Sequence, residues 1–446
     1  MIKTGLRSFA KRAYYTFYPG NRRHSGDITG IEPSQLLLLS VDDPMDGHAI
    51  GGKHVHIFLL QKGLSALSTV ALLVPEAGWG YKGEYASLQR RSGLFKDPSP
   101  LEAHVRSLIS SLSAKCYRYL RDFGCPRIVN AHDVVAMVAF KEAWQEFSAR
   151  AGHRTPPTRI LTLHGYFTRE AVDYGAIKAD DADSKGFALQ LERQAAAFCD
   201  GIIAVDDRIA EYVRTEFHFE RPVQVIPNAV DTESFSPASP EDAMQMKRDL
   251  GLALDRPVIL VPRRLVKKNG VVQAATGARL LADRGLPFQM VFVGDGPEQV
   301  DVEAVAKTVQ SPGQIRLEGA VPHSSVRLYF QAADVVLIPS IPSHGVEEAT
   351  SLAAAEGLAC AKPVVAGDVG GLKQMITSGV DGFLCDCREP GNLVEALAPI
   401  LQGKVSGSIA SKARLTAVSR FGFNEHSRTF MRFFLDVEHK RKGAEQ

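Results

Sequence analysis

From residue 35 onward, short runs of apolar residues alternate with longer stretches in which apolar and polar positions recur at helical spacing. The runs at 36–39, 70–74, 127–129, 159–163 and 201–205 are too short for helices and too uniformly apolar for half-exposed strands. They predict strands buried on both faces, with helices at about 52–62, 99–123, 134–151, 185–199 and on to 217. The pattern then restarts, with strands at 258–261, 288–293, 315–317, 335–338, 363–365 and 382–384 and helices filling the gaps. Continuous apolar strands separated by helices mean parallel sheets covered on both sides. The expected architecture is therefore α/β, with two Rossmann-like doubly wound domains facing a central cleft, 31–220 and 221–420, joined near 218–223. Residues 421–446 form a closing amphipathic helix carrying Phe430, Phe433, Phe434 and Val437, expected to pack back on the first domain. The polar stretch 166–184 and the aromatic stretch 75–98 read as loops.

A chain of 446 residues has room for two or more cores, and 45% hydrophobic with 23% charged residues is the balance of a globular protein. A formal charge of +2 gives no general attraction to nucleic acid. Residues 1–30 stand apart. The first 24 hold Lys3, Arg7, Lys11, Arg12, Arg22 and Arg23, no acidic residue, and five aromatics. Drawn as a helix, they suit an anionic membrane surface as well as they suit a face of the protein itself. With no apolar run long enough to span a bilayer and no signal-peptide core, the expected location is cytoplasmic, peripheral at the membrane face if that segment binds it. The six scattered cysteines read as buried free thiols.

Candidate chemistry concentrates at predicted strand ends, where doubly wound sheets bind ligands. Glu348 and Glu356 lie eight residues apart in a stretch read as a loop, a helix of about three turns and a strand. On a continuous helix their carboxylates would be about 12 Å apart, too far for a glycosidase pair at roughly 5–9.5 Å. The spacing fits an elongated anionic ligand held at two points around a helix N-terminus, and equally a solvated helix face. Arg263, Arg264, Lys267 and Lys268 follow one strand and Gly294-Asp-Gly-Pro297 another. Gly51-Gly52 lies where a backbone can approach a phosphate, or simply turn. Asp181-Ala-Asp183 is acidic but follows no strand. His54, His56 and His132 share no metal-ligand spacing, so no structural zinc is expected from them. No G-x-G-x-x-G fingerprint opens either half, and neither a P-loop nor a G-x-S-x-G elbow is present in the sequence.

In chain order these pieces resemble one family. They are Gly51-Gly52, His164-Gly165, Val225-Ile-Pro-Asn-Ala-Val-Asp231, Arg263-Arg-Leu265 with Lys268, Val293-Gly-Asp-Gly-Pro297, Gly319-Ala-Val321, Ala333-Asp334 through Pro339-Ser340, the Glu348/Glu356 stretch and Val369-Gly-Gly371. Together they resemble the retaining group-1 (family-4) glycosyltransferases of type-B fold. The resemblance implies transfer of a sugar from a nucleotide-sugar donor to a glycan, lipid-linked or small-molecule acceptor, with retention and without metal or other cofactor. It implies that Glu348 holds donor-sugar hydroxyls and Glu356 the ribose. Arg264, Lys268, Gly294 and the amides of Ser351 and Leu352 would then lie along the phosphates, and Val321 beside the base. His164 would stand by the donor sugar, and Gly51 and Gly52 would shape the phosphate and acceptor side. The chain departs from the family pattern at Asn269, where a lysine is usual, at Thr350-Ser351 in place of Phe-Gly, and at Lys373-Gln374 in place of Pro-Glu. A sugar-nucleotide-binding subunit without turnover, or an epimerase on the same fold, remain alternatives on these residues.

Overall fold

A computed structural model describes residues 35–44, 52–75, 100–152, 155–173, 175–309, 313–343, 347–405 and 407–444. The segment 1–30, Gly51 and nearly all of the aromatic stretch 75–98 lie outside them. The chain divides into two compact units. One contains the described residues up to Pro227 together with those from Asn424 on, and the other is Asn228–Phe423.

In the first unit β1 (Leu36–Leu39), β2 (Val70–Leu73), β3 (Ile128–Ala131), β4 (Thr158–Leu163), β5 (Gly201–Ala204) and β6 (Val223–Val225) form one sheet in the order β2-β1-β3-β4-β5-β6. Every pairing is parallel. Leu36, Leu38, Ile128, Ile160 and Ile203 present one apolar face. Leu60 and Leu64 from the helix Gly52–Ser65 cover part of it, and Phe430, Phe433, Phe434 and Val437 from the helix Phe423–Ala444 cover more. That last helix comes so close that a Cβ on Gly201 would lie 2.9 Å from Val437 Cγ2, so only glycine fits there. Two polar contacts pin its far end. Arg127 donates to both carboxylate oxygens of Glu438 at 2.5–3.0 Å, and Arg441 donates to the Pro156 carbonyl at 2.7 Å.

In the second unit β7 (Val258–Val261), β8 (Gln289–Val293), β9 (Ile315–Gly319), β10 (Val335–Ile338), β11 (Val364–Gly367) and β12 (Phe383–Cys385) form a parallel sheet in the order β12-β11-β10-β7-β8-β9. Val258 and Leu260 face one core with Phe330, Leu358 and Phe421, while Ile259 and Val261 face another with Ala274, Leu281 and Leu393. Both faces being covered is why the central strands β7, β10 and β11 carry no charged or amide residue. In each sheet the strand order reverses once, between β1 and β3 and between β7 and β10. Ligand crevices open outside the carboxyl ends of the strands at such points.

Three local expectations change. The stretch 166–184 is not a loop throughout, because helices run Phe167–Asp173 and Ala182–Phe198. Asp181 caps the second, accepting from the Ser184 amide at 2.9 Å, so the acidic pair there opens a helix. Strand β3 runs on through Asn130, whose side-chain amide donates to the Ile160 carbonyl at 3.1 Å and Thr162 Oγ1 at 2.8 Å. The helix after Glu348 is shorter than about three turns. It is Leu352–Ala359, so only the last part of the Glu348–Glu356 interval is helical and the 12 Å rise does not apply.

The Arg127–Glu438 pair yields a pH-dependent test. Hydrogen bonds from Arg127 hold the Glu438 carboxyl down at about 2. An unfolded glutamate titrates near about 4.3, so this stabilisation is full above that pH and fades as pH falls toward 2. Arg127 is half-exposed, and solvent screening limits the contribution to about 1 kcal/mol. Urea unfolding of Glu438→Gln should show that loss at pH 7 and a shrinking difference below about pH 4. A difference that stayed constant down to pH 3 would contradict this.

Candidate functional site

The second unit gathers its polar chemistry beyond β7 and β10, on either side of its reversal point. Arg263 lies two residues past β7 and is buried at 9% exposure, which a guanidinium tolerates only when its donors are matched by acceptors. Its Nη2 donates to Glu348 Oε2 at 2.5 Å, Asn269 Oδ1 at 2.6 Å and Ser340 Oγ at 3.1 Å. Its Nη1 donates to Ser351 Oγ at 3.1 Å. Ser340 follows β10, Asn269 closes a 3₁₀ turn at Lys267–Asn269, and Ser351 caps the helix Leu352–Ala359, accepting from the Ala354 amide at 3.4 Å. One side chain therefore ties together three loops and a helix start. Burial pushes the Glu348 carboxyl up, but the charges of Arg263 and then Lys268, with hydrogen bonds from Arg263 and Ser340, outweigh it and hold the group below its usual range.

Around this anchor the backbones crowd together. Gly294 sits at φ +143°, and a Cβ there would be 2.1 Å from the Arg263 carbonyl oxygen. Gly270, at φ +62°, would place one 1.9 Å from the Pro339 carbonyl oxygen. Both are positions only glycine can fill, and they press the turn after β8 and the turn after β10 onto the Arg263–Gly270 segment. The Glu348 backbone is held as well, its carbonyl accepting from the Gly371 amide at 2.8 Å.

Of the residues expected to carry function, Arg264 is exposed, Lys268 and Leu352 are half-buried, and Ser351 and Glu356 are buried. Val321 follows β9 and packs against the core beneath it. Gly294 pairs with Gly319 across a short bridge, its amide donating to the Gly319 carbonyl at 2.9 Å. The structure thus brings Arg264, Lys268, Gly294, Glu348, Ser351 and Leu352 to one end of one sheet. Glu356 lies farther along the helix that Ser351 opens.

The first unit has its own polar cluster at the corresponding sheet edge. Gly52 starts the helix Gly52–Ser65, and the next residue, Lys53, bridges Asp133 at 2.7 Å and Asp42 at 3.1 Å. Burial disfavours the charge on Lys53, yet the two carboxylates outweigh it and push the ammonium up to about 12. Asp133 also caps the helix Val134–Ala151 and accepts from the Val41 amide at 3.0 Å. Beside it, His132 Nδ1 lies 3.3 Å from His164 Nε2. His56 packs edge-on against His164 at 4.7 Å and His426 at 5.0 Å, and is tilted against His132 at 5.4 Å. Burial drives the His56 and His132 rings well below the ordinary histidine range and His426 to about 3, so these rings are neutral at neutral pH.

Sequence reading singled out Arg264 and Lys268 but treated Arg263 only as a member of a basic run. A double arginine two residues past a buried strand carries a usable signal, since a guanidinium so close to the sheet must find acceptors. Lys53 was missed because its partners come from sequence positions 42 and 133. The histidines lack a common spacing because each leaves a different element, and they meet only through the sheet order. That corrects the expectation of unrelated histidines.

Two family profiles cover most of the chain. The one described as Glycosyl transferases group 1 matches residues 242–415, and Glycosyltransferase Family 4 matches residues 50–234. The chain is 27% identical over 290 residues to the D-inositol 3-phosphate glycosyltransferase of Xylanimonas cellulosilytica, covering 63% of this chain and 68% of that protein. It spans about half the length of other curated relatives it matches. The fold is similar to sucrose-phosphate synthase of Thermosynechococcus elongatus, with a TM-score of 0.67 at 17% identity over 90% of this chain and 99% of that one. It is also similar to Anabaena HepE in complex with UDP-glucose, with a TM-score of 0.62 at 18% identity over 90% and 99%.

Removing Arg263 should deprive the partly buried Glu348 carboxylate of its nearest counter-charge and leave Asn269, Ser340 and Ser351 without their shared donor. We expect Arg263→Leu to lower unfolding stability by about 3–5 kcal/mol in urea titration. A loss below about 1 kcal/mol, the size of an exposed pair, would mean that the anchor is not what holds these loops.

Proposed function

The chain belongs to the group-1 glycosyltransferases, and on that premise we propose that it transfers a hexose-type sugar from a nucleotide-sugar donor to a carbohydrate or lipid-linked acceptor, with retention at the anomeric carbon. The observation that carries this reading is the constellation beyond β7 and β10, with exposed Arg264 and half-buried Lys268 beside a Glu348 carboxylate held by Arg263. A sugar diphosphate needs cations at the leaving group, a helix N-terminus for its oxygens, and an acceptor for sugar hydroxyls. Arg264 and Lys268 supply the first, making a metal unnecessary at the diphosphate. The amides of Ser351 and Leu352 supply the second and Glu348 the third. Glu356 on the same helix serves the ribose, and Gly294 and Val321 the phosphate and base sides. In the first unit, His164 is assigned to the donor sugar and Gly51 with Gly52 to the phosphate and acceptor side, on the resemblance alone. The UDP-glucose complex of HepE supports a nucleotide sugar as donor class.

Retention follows from the family resemblance and is read from the anomeric configuration of the product by NMR. Lys268→Ala and Arg264→Ala should each lower transfer by roughly 10²-fold, as for loss of one preorganised charge at a developing anion. A thermal-shift panel of nucleotide sugars identifies the donor first, because a bound donor raises the melting temperature by mass action. Undiminished turnover in both variants, or donor binding with no transfer to any acceptor, would overturn the proposal.

The acid-free basic stretch 1–24 supports a peripheral contact with an anionic bilayer from the cytoplasmic side, which would bring a lipid-linked acceptor within reach. Full-length protein should float with anionic vesicles, and protein lacking residues 1–24 should not. Equal recovery of the two retires the contact.

A further inference from the structure

We infer that His56, His132 and His164 form a binding site for a divalent transition-metal ion of the zinc class. Each offers one ring nitrogen, and the three nitrogens lie within 4.8 Å of one another. The His132 Nδ1 to His164 Nε2 separation of 3.3 Å is already the edge of a tetrahedron with metal–nitrogen bonds of about 2.0–2.1 Å. The third nitrogen lies within 4.8 Å of the other two, so a side-chain movement of about 1.5 Å, the difference between 4.8 and 3.3 Å, brings it toward the same edge length. Among the described residues, neither ring nitrogen of fully buried His56 has a hydrogen-bond partner, and neither does Nε2 of buried His132. A neutral imidazole carries one donor and one acceptor, and leaving both unmatched in an interior costs stability. Metal coordination would employ a lone pair on each ring. Imidazole ligands without thiolate select zinc, cobalt, nickel or copper(II) over magnesium or calcium, and three protein ligands leave a fourth position for water.

The three residues leave three different elements, namely the helix Gly52–Ser65 and the loops after β3 and β4. The surroundings are closely packed, with His56 edge-on to both His164 and His426 and His426 lying 4.6 Å from the Phe430 ring. The site belongs to the first unit, whereas the cations assigned to the diphosphate belong to the second, and it shares His164 with the residues assigned to the donor sugar. Its test therefore reads metal, not sugar transfer, and fails or succeeds independently of the proposed reaction.

Tag-free full-length protein is stripped with a chelator, equilibrated with zinc(II) or cobalt(II), desalted and analysed for metal. The expected result is one ion per chain, with cobalt giving the intense visible bands of a four-coordinate site. His56→Phe, which keeps ring volume, and His132→Asn should each weaken zinc affinity roughly tenfold or more while retaining a cooperative urea transition. Should His56→Phe fail to fold, His132→Asn alone decides. A stripped protein that takes up no metal, or uptake undiminished in the folded variants, overturns the site and leaves the cluster as packed neutral imidazoles.

Discussion

A guanidinium taken out of water must be surrounded by acceptors, and the second unit is arranged around meeting that demand for Arg263. Its hydrogen bonds reach Asn269, Ser340, Glu348 and Ser351, residues that follow two different strands and open one helix. The guanidinium links these loops, its Nη1 and Nη2 hydrogens being shared among all four acceptors. The glycines at 270 and 294 are the steric side of the same arrangement, allowing neighbouring turns to close to backbone contact over the arginine's segment. The departures from the family pattern make sense here. Asn269 accepts from Arg263 and donates to the Arg264 carbonyl, and Ser351 accepts from Arg263 while capping its helix.

The architecture was legible in the sequence because both faces of each sheet are covered, which makes the central strands short, nearly uniform apolar runs set between helical stretches. Strand positions such as 36–39, 258–261 and 335–338 could be read to the residue for that reason. The reading failed where polar groups are satisfied at a distance. Asn130 looks like the end of a strand, yet β4 supplies its partners, and Asp181 looks like a loop acid but caps a helix. The Glu348–Glu356 interval misled in a related way. Small residues continue through it, but the cap at Ser351 starts the helix late, so Glu348 belongs to a loop shaped by Arg263 and not to the helix face. Pairings that depend on sheet order, such as Lys53 with Asp42 and Asp133 or the meeting of His56 with His132 and His164, leave no local signal at all.

The two units solve the same electrostatic problem in opposite ways. At the edge of the second sheet the central group is a cation, Arg263, and carboxylate and hydroxyl acceptors converge on it. At the edge of the first, Lys53 satisfies the paired carboxylates Asp42 and Asp133 and neutral imidazoles fill the adjoining space. A buried Lys53 held charged by two carboxylates is already compensated, so little of its field is left for an anion. Arg264 is exposed and Lys268 only half-buried. The second sheet therefore carries the more accessible cations of the two.

That difference also limits what Glu348 can do. A carboxylate held below its usual range by an adjacent guanidinium is ionised at neutral pH and has a hydrogen bond directed at one oxygen. It is a poor proton donor, since protonation would leave Arg263 buried without its counter-charge. It is also a weak base, because the same attraction lowers its proton affinity. What such a group does well is accept further hydrogen bonds from fixed positions, with its backbone secured by Gly371 and its side chain by Arg263. A ligand rich in hydroxyls is the natural partner for that geometry. On the proposed reaction the carboxylate would then serve as a binding group, and the rate advantage would fall to the cations assigned to the leaving group.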